Sequence, residues 1–494
     1  MAIIGNQVPP PSPLPPNFRR RVVVKFRPEA ERAFARAEGD EIAQGAGAAG
    51  AELVAAFPGL TFEPYFANLG ESTLRGFANR GSEAEGAGAA ARFTSYFAVQ
   101  PPGDTPPEEV AKAIAQLPDV EAAYVEGGPT PPPGRSARSA IAPPVDPSDD
   151  PRNPNQGYLD AAPAGIDARW AWSRVAGSGI TFVDLEQGWD LAHEDLVRAG
   201  ISIISGLDQD YPGYGTAVLG EVVGVDNTVG GVGIAPAVSA RVVSQWRENG
   251  TYNTAEAILS AVDAMKAGDV LLLEAQTSYP TATGFVPVEV ELAVFDAIQF
   301  ATSQGIVVVE AGANGSVDLD EFQDLDGKQI LNRGSRDFRD SGAILVGAAS
   351  AAAPHERLGF SNFGSRVDCF AWGESIDTCG DGWQGRDPQA YTSFFGGTSG
   401  ASPIVTGAAL LVQSWNVAEG KERLSPKALR ELLSDPSLNT ASDPKADRIG
   451  VMPDLRAIIE GKKPEPEPEL EFDPNRWKAV QWILFGVAED GGGV

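Results

Sequence analysis

Histidine and cysteine are nearly missing from this chain of 494 residues, which carries two of each. Two thiols, Cys369 and Cys379, allow one disulfide and exclude a disulfide framework or a four-cysteine zinc site. Positive charge is scarce as well. With 38 basic and 67 acidic residues the net charge is −29, and the pI lies near 4.4. That balance excludes nucleic acid and an anionic membrane surface as main partners, and would draw in the basic segments of a peptide. No apolar run reaches the roughly 18 residues that cross a bilayer, so no membrane partner is expected. Residues 1–17 are a proline-rich tail without the charged-then-apolar order of a signal peptide. The expectation is a cytoplasmic protein, or one exported without a cleaved signal peptide.

What is present is apolar material: 43% of the residues are hydrophobic, enough for two or three domains with sizeable cores. Residues 18–127 read as a small α+β domain of ferredoxin-like order. Val22–Phe26 is a compact β-branched run, hence a strand, and an Ala/Glu/Arg-rich helical stretch follows from Glu29. Phe93–Val99 is a second strand. Thr105-Pro106-Pro107-Glu108 has the form of a capping box opening a helix through Leu117, and Val120–Val125 is the last strand. Residues 128–159 are a Pro/Gly/Ser-rich linker, with Arg135-Ser136-Ala137-Arg138-Ser139 as the expected cleavage region.

Residues 160–460 alternate strand-like and helix-like segments, the pattern of an α/β fold with a parallel sheet flanked by helices. Strands are expected at Ile180–Asp184, Ser239–Val243, Val270–Leu273, Gly305–Val309 and Ala343–Val346, and helices at Ala255–Ala267 and Val288–Gln304. Function in such sheets gathers where strands end, which singles out Asp184 and Asn314. Residues 461–473 are an acidic Pro/Glu linker, and 474–494 an amphipathic helix and tail. Val480, Ile483, Leu484 and Val487 give that helix one apolar face, either packed on the main domain or docking a protein partner.

The most informative stretch is Phe395-Gly396-Gly397-Thr398-Ser399-Gly400-Ala401-Ser402-Pro403, at the mouth of the apolar run Ile404–Trp415. Small residues let another backbone approach closely. A serine at a helix entrance lies where free N–H groups and the helix dipole stabilise negative charge. An ordinary capped core helix would look similar on this segment alone. The stretch resembles the nucleophile motif of subtilisin-like serine peptidases, with Gly400 where that family usually has Met. Further matches follow the family's order: Ile180–Asp184 with His193-Glu194-Asp195-Leu196 downstream, Asn314 after Val308–Ala313, and Phe360-Ser361-Asn362-Phe363-Gly364. The resemblance implies a subtilisin-like fold, a polypeptide substrate, Asp184 as orienting acid, Ser399 as nucleophile and Asn314 as oxyanion donor. It also implies that residues 18–127 are an inhibitory propeptide whose C-terminal segment enters the cleft.

The base is the exception. The family's His-Gly-Thr helix opening aligns with Tyr214-Gly215-Thr216-Ala217-Val218-Leu219-Gly220, so Tyr214 stands at the histidine position. A phenol with an ordinary pKa near 10 stays protonated where an imidazole accepts a proton. Hydrolysis is expected to be strongly impaired or absent. The alternative is a non-catalytic protein that binds peptides or a partner through the retained cleft. Residues that could stand in as the base are His193 and His355, each against a surface or structural role, and Glu186; the sedolisin relatives use Glu, but Asn314 and the Gly-Thr-Ser pattern do not match them. Glu274, Ala275 and Gln276 align with the strand lining the first specificity pocket, where small residues are usual; Glu274 facing that pocket would favour basic side chains. No cofactor is expected. Asp318-Leu319-Asp320-Glu321 with Asp324-Leu325-Asp326 is either a solvated acidic loop or a calcium site without EF-hand spacing.

Overall fold

The computed structural model describes residues 18–27, 47–83, 93–130 and 150–461. The proline-rich tail, the helical stretch from Glu29, the Arg135–Ser139 cleavage region, the Pro/Glu linker beyond residue 461 and the C-terminal helix lie outside the described residues.

The N-terminal module is an antiparallel sheet of β1 (Val22–Phe26), β2 (Phe62–Pro64), β3 (Tyr96–Val99) and β4 (Val120–Val125), in the order β2-β3-β1-β4. Its two faces follow from the period of two along a strand. Val22, Val24 and Phe26 pack with Leu53, Val110 and Ile114 of the module's own helices. Val23, Tyr96, Ala98 and Tyr124 face the other way, onto residues of two helices of the main domain, Thr254–Asp263 and Leu292–Ser303. Polar anchors fix the dock. Lys25 Nζ reaches Asp296 at 3.0 Å, the Tyr96 hydroxyl donates to Asp296 at 2.6 Å, and Asn68 donates twice to Glu256 at 2.7 and 2.8 Å.

Two local readings need correction. The capping box at Thr105 does not form: the helix is Pro107–Ile114, its N-cap is Pro106, and no side chain caps it. Phe93–Ser95 is a 3₁₀ turn, so the strand expected at Phe93 begins at Tyr96.

The main domain is built on a nine-stranded sheet. Its strands are β5 (Thr181–Glu186), β6 (Ser202–Ile203), β7 (Ser239–Ser244), β8 (Val270–Leu273), β11 (Val307–Ala311), β12 (Ile344–Ala349), β13 (Cys369–Trp372), β16 (Thr440–Ala441) and β17 (Val451–Met452). The spatial order is β16-β17-β13-β12-β11-β8-β5-β7-β6, parallel throughout except β16 against β17. Two short hairpins stand apart, β9 (Gln276–Ser278) with β10 (Phe285–Pro287), and β14 (Ile376–Cys379) with β15 (Tyr391–Phe395). The central strands are near-continuous Val/Leu runs because both faces are covered. Phe182, Val242, Leu272 and Val309 pack with the helices Pro212–Val223 and Thr398–Ala418; Val183, Val243, Leu271 and Val308 pack with Thr254–Asp263 and Leu292–Ser303. This is a subtilisin-like α/β fold, a mostly parallel sheet flanked by helices.

The acidic loop is held by arginine. Arg448 bridges Asp318 and Asp320, Asp320 also accepts from Ser365, and Lys328 pairs with Asp326 at 2.8 Å. Among the described residues, no group of three His, Cys, Asp or Glu is placed to hold a metal ion. Cys369 and Cys379 are buried and unpaired. No described helix is long and apolar enough to cross a membrane.

Candidate active site

The C-terminal ends of β5, β8 and β11 and the N-termini of two helices converge on one cleft. Asp184 lies within β5, opposite Val242 of β7 and Leu272 of β8, and is fully buried. Ser399 is the second residue of the helix Thr398–Ala418, whose N-cap Gly397 has φ 85°, open to glycine at little cost. The helix thus begins ahead of the apolar run Ile404–Trp415, and Pro403 sits inside it. Gly400 has a packing reason: a Cβ there would come within 2.4 Å of Ile376 Cδ1.

Tyr214 begins the turn after Pro212 in the helix Pro212–Val223. It is 4% exposed, and its ring meets Phe395 edge-on at 5.0 Å. Tyr214, Ser399, Glu186, Glu274, Gln276 and Asn314 all line the same cavity. The Tyr214 hydroxyl is near Ser399 but makes no hydrogen bond of normal geometry. Burial pushes this phenol well above its ordinary range, the carboxylates of Glu274 and Glu186 add to the shift, and the Ser399 hydroxyl opposes it. No base is made there at neutral pH.

Asp184 is engaged elsewhere. Its Oδ2 accepts from the indole N–H of Trp189 at 2.7 Å, and its Oδ1 is buried without a partner. Burial pushes its carboxyl up to about 7 against the pull of Trp189. Three further carboxyls share this interior. Burial raises Glu186 (with Asp184 and Glu274 adding), Glu221 (with Glu274 adding) and Glu274, the last opposed by the hydroxyls of Ser402 and Ser399. Ser402 also donates to Thr398 O at 2.7 Å. It has one hydrogen, so its close contact with Glu274 Oε1 is satisfied when the carboxyl proton donates to the serine oxygen.

Asn314 follows β11, reached through Ala313 at φ 70°. Its Oδ1 accepts from Thr398 N at 2.9 Å, which fixes it beside Ser399. Its backbone N and Nδ2 both point at Gln276 Oε1, at 3.0 and 3.3 Å. An oxyanion would seek those donors, and a side-chain carbonyl already occupies them. The neighbouring module reaches this edge: the Thr130 hydroxyl donates to Gln276 O at 2.8 Å, and the Gln187 amide donates to Thr130 O at 3.0 Å.

The structure thus brings Tyr214, Asn314, Ser399, Glu186 and the segment Glu274–Gln276 to one cavity, with Asp184 buried close to Glu186 and Glu274 but not lining it. It leaves both histidines out. His193 bonds Ala390 O and Asp195 N, and His355 bonds the carbonyls of Ser350 and Pro163. Two participants carried no sequence signal for what they do here. Trp189 holds Asp184 from an irregular loop, and Gln276 turns its carbonyl onto Asn314. A large polar residue where the family keeps small ones was the one available hint.

Comparison with known proteins agrees with this geometry. The subtilase family model matches residues 206–451, just under half of the chain. Subtilisin NAT of Bacillus subtilis subsp. natto is 28% identical over 260 residues, covering 51% of this chain and 61% of the relative. The match therefore spans less than two thirds of that protein's length. The subtilisin of Bacillus pumilus is 28% identical over 262 residues, 51% of this chain and 84% of its own. Among solved structures, fervidolysin from Fervidobacterium pennivorans, described as a keratinolytic enzyme related to subtilisin, superimposes with TM-score 0.52 at 17% identity. That alignment covers 92% of this chain and 63% of fervidolysin, and at this identity it speaks for the fold alone. Family match, relatives and architecture converge: the chain has the subtilisin-like fold and is similar in sequence to subtilases.

Proposed function

We propose that this protein carries the endopeptidase site of its family in an arrested form, with Ser399 as nucleophile, Asp184 as orienting acid, Asn314 as oxyanion donor and Tyr214 at the histidine position. The observation that carries the reading is the buried, proton-retaining phenol of Tyr214 beside Ser399. Serine cannot attack a carbonyl without giving up its proton, and a phenol of raised pKa does not accept it. In subtilisin itself, removing the base lowers kcat by roughly 10⁶, a magnitude known for that enzyme and not worked out from this chain.

A second reading, a cleft that holds peptides without cutting them, is favoured by Gln276, whose carbonyl occupies the donors of Asn314. In both readings residues 18–127 act as a propeptide-like module. Its sheet docks on the two helices, and the start of the linker that follows it, through Thr130, reaches the edge of the cleft. The test is expression of the full chain beside Ser399→Ala. Both are expected to run as a single uncleaved species and to leave a fluorogenic peptide intact. Self-cleavage that Ser399→Ala abolishes would overturn the arrested reading.

A further inference from the structure

Four buried acids stand at the seam between the N-terminal module and the main domain, and three of them have strong partners. Asp296 holds Lys25 and the Tyr96 hydroxyl. Glu256 accepts from the backbone N–H groups of Asn68 and Leu69 at 2.7 and 3.2 Å and from the Asn68 amide. Glu126 takes the Arg21 guanidinium at 2.8 Å. Glu291 is the exception. It precedes the helix Leu292–Ser303, and its Oε1 receives the Thr277 hydroxyl at 2.5 Å and the Gly127 N–H at 3.2 Å. Among the described residues, no lysine or arginine forms an ion pair with it.

The two donors come from opposite sides of the seam. Gly127 closes the module just after β4, and Thr277 lies in β9 beside Gln276, whose carbonyl occupies the donors of Asn314. The joint is tight: a Cβ on Gly127 would stand 1.8 Å from Thr277 Oγ1 and 2.9 Å from Glu291 Oε1. The groups facing Glu291 do not replace a cation. Glu126 repels its ionised form; Arg20 attracts it, yet donates to Ser278 at 3.1 Å, and Arg21 is spent on Glu126. The phenols of Tyr65, Tyr124, Tyr252 and Tyr279 are raised by burial and stay neutral. Burial dominates and pushes Glu291 up to about 7, with Glu126 adding and Thr277, Gly127 and Arg20 opposing. With the module lifted away, the same carboxyl meets water and returns to the ordinary glutamate range.

We propose that Glu291 is a proton-operated latch: its protonated carboxyl lets the module seat on the two helices, and its ionisation loosens the module and the cleft-edge strand β9 together. The sign follows from linkage. Docking takes up a proton, so the dock is tight in mild acid and weakens as pH rises from the ordinary glutamate range to about 7. Residues 18–127 contain no histidine, so the proton is sensed by an acid of the main domain. The latch stands on the docking contacts and holds whether or not Ser399 is arrested.

The experiment is hydrogen–deuterium exchange of the full chain at about pH 5 and about pH 8, each amide corrected for its intrinsic rate at that pH. Three amides report the dock because their acceptors lie across the seam. They are Asn68 N on Glu256, Gly127 N on Glu291, and Ala293 N on the Tyr124 hydroxyl at 3.1 Å. Their protection is expected to fall about 10²-fold from the lower to the higher pH, the ratio set by a carboxyl that moves from 4.5 to about 7. Amides of β8, in the core of the main domain, should fall less. Glu291→Gln keeps an acceptor for Thr277 and Gly127 and cannot ionise, so its dock amides are expected to stay protected at both pH values. A dock that falls equally in Glu291→Gln overturns the latch. So does a full chain whose dock amides do not fall, or fall no more than those of β8, and these two outcomes need no variant.

Discussion

Replacing Tyr214 by His separates a site that lacks only its base from one dismantled at several points. The gain at stake is set by subtilisin, where the base is worth roughly 10⁶ in kcat, or about 8 kcal/mol of barrier. The structure limits how much of that returns. The orienting acid keeps one acceptor open, because Asp184 Oδ1 is buried and unpartnered while Trp189 holds only Oδ2. The oxyanion donors are a separate deficit. Asn314 directs both nitrogens at Gln276 Oε1, and losing one such donor in subtilisin costs about 10²–10³ in kcat. Tyr214→His is therefore expected to raise peptide hydrolysis about 10³-fold over the Ser399→Ala background. Tyr214→His with Gln276→Gly should add about a further 10². The substitution also removes the edge-on contact with Phe395 and some buried ring area, at a cost of about 1–2 kcal/mol in stability. The assay is initial-rate hydrolysis of a fluorogenic peptide together with loss of the N-terminal module on a gel, with thermal unfolding as the folding control. A double variant that melts normally yet cleaves no faster than Ser399→Ala would refute the assignment of Tyr214 to the base position.

Further outcomes follow from the interior. Burial raises the carboxyls of Asp184 and Glu291 to about 7 and of Asp195 to about 6, above their unfolded values. The fold therefore binds protons that the unfolded chain releases, and this stabilisation is present in mild acid and lost as pH rises through 6 to 7. Melting temperature should fall between about pH 5 and pH 8, and a rise over that interval would refute the account. Arg366 is fully buried between Glu289 at 2.6 Å and Asp368 at 2.7 Å; Arg366→Ala leaves buried Glu289 without its cation, while Asp368 keeps Arg333, and should cost about 3–5 kcal/mol in denaturant unfolding, whereas a loss under 1 kcal/mol would contradict it. Gly400→Ala forces a Cβ to 2.4 Å from Ile376 and should cost about 1–3 kcal/mol, relieved when Ile376 is shortened to Val; an unrelieved loss would place the strain elsewhere.

Much of the fold could be read from the chain because its signals are local. Val270–Leu273 is a continuous apolar run, the mark of a strand covered on both faces, and it forms β8 with the expected bounds. Val22–Phe26 and Val120–Val125 were equally plain. The short strands Phe62–Pro64 and Thr440–Ala441 carry too few residues to declare a period, and only pairing with β3 and β17 makes them strands.

The sequence by itself determined the resemblance pattern, the order of Asp184, Tyr214, Asn314 and Ser399, and a phenol at position 214 in that order. Residue identity settles whether a proton acceptor exists, and no packing turns a phenol into one. Only the tertiary structure decided what each group does with its neighbours. Trp189 takes one oxygen of Asp184, Gln276 takes the donors of Asn314, and both histidines are spent on backbone and line no part of the cavity beside Ser399. It also turned Glu186 and Glu274 from unrelated positions, eighty-eight residues apart, into two walls of one cavity. Hydrogen bonds and burial are relations in space, and parallel strands β5 and β8 bring their ends together without any trace in the local sequence.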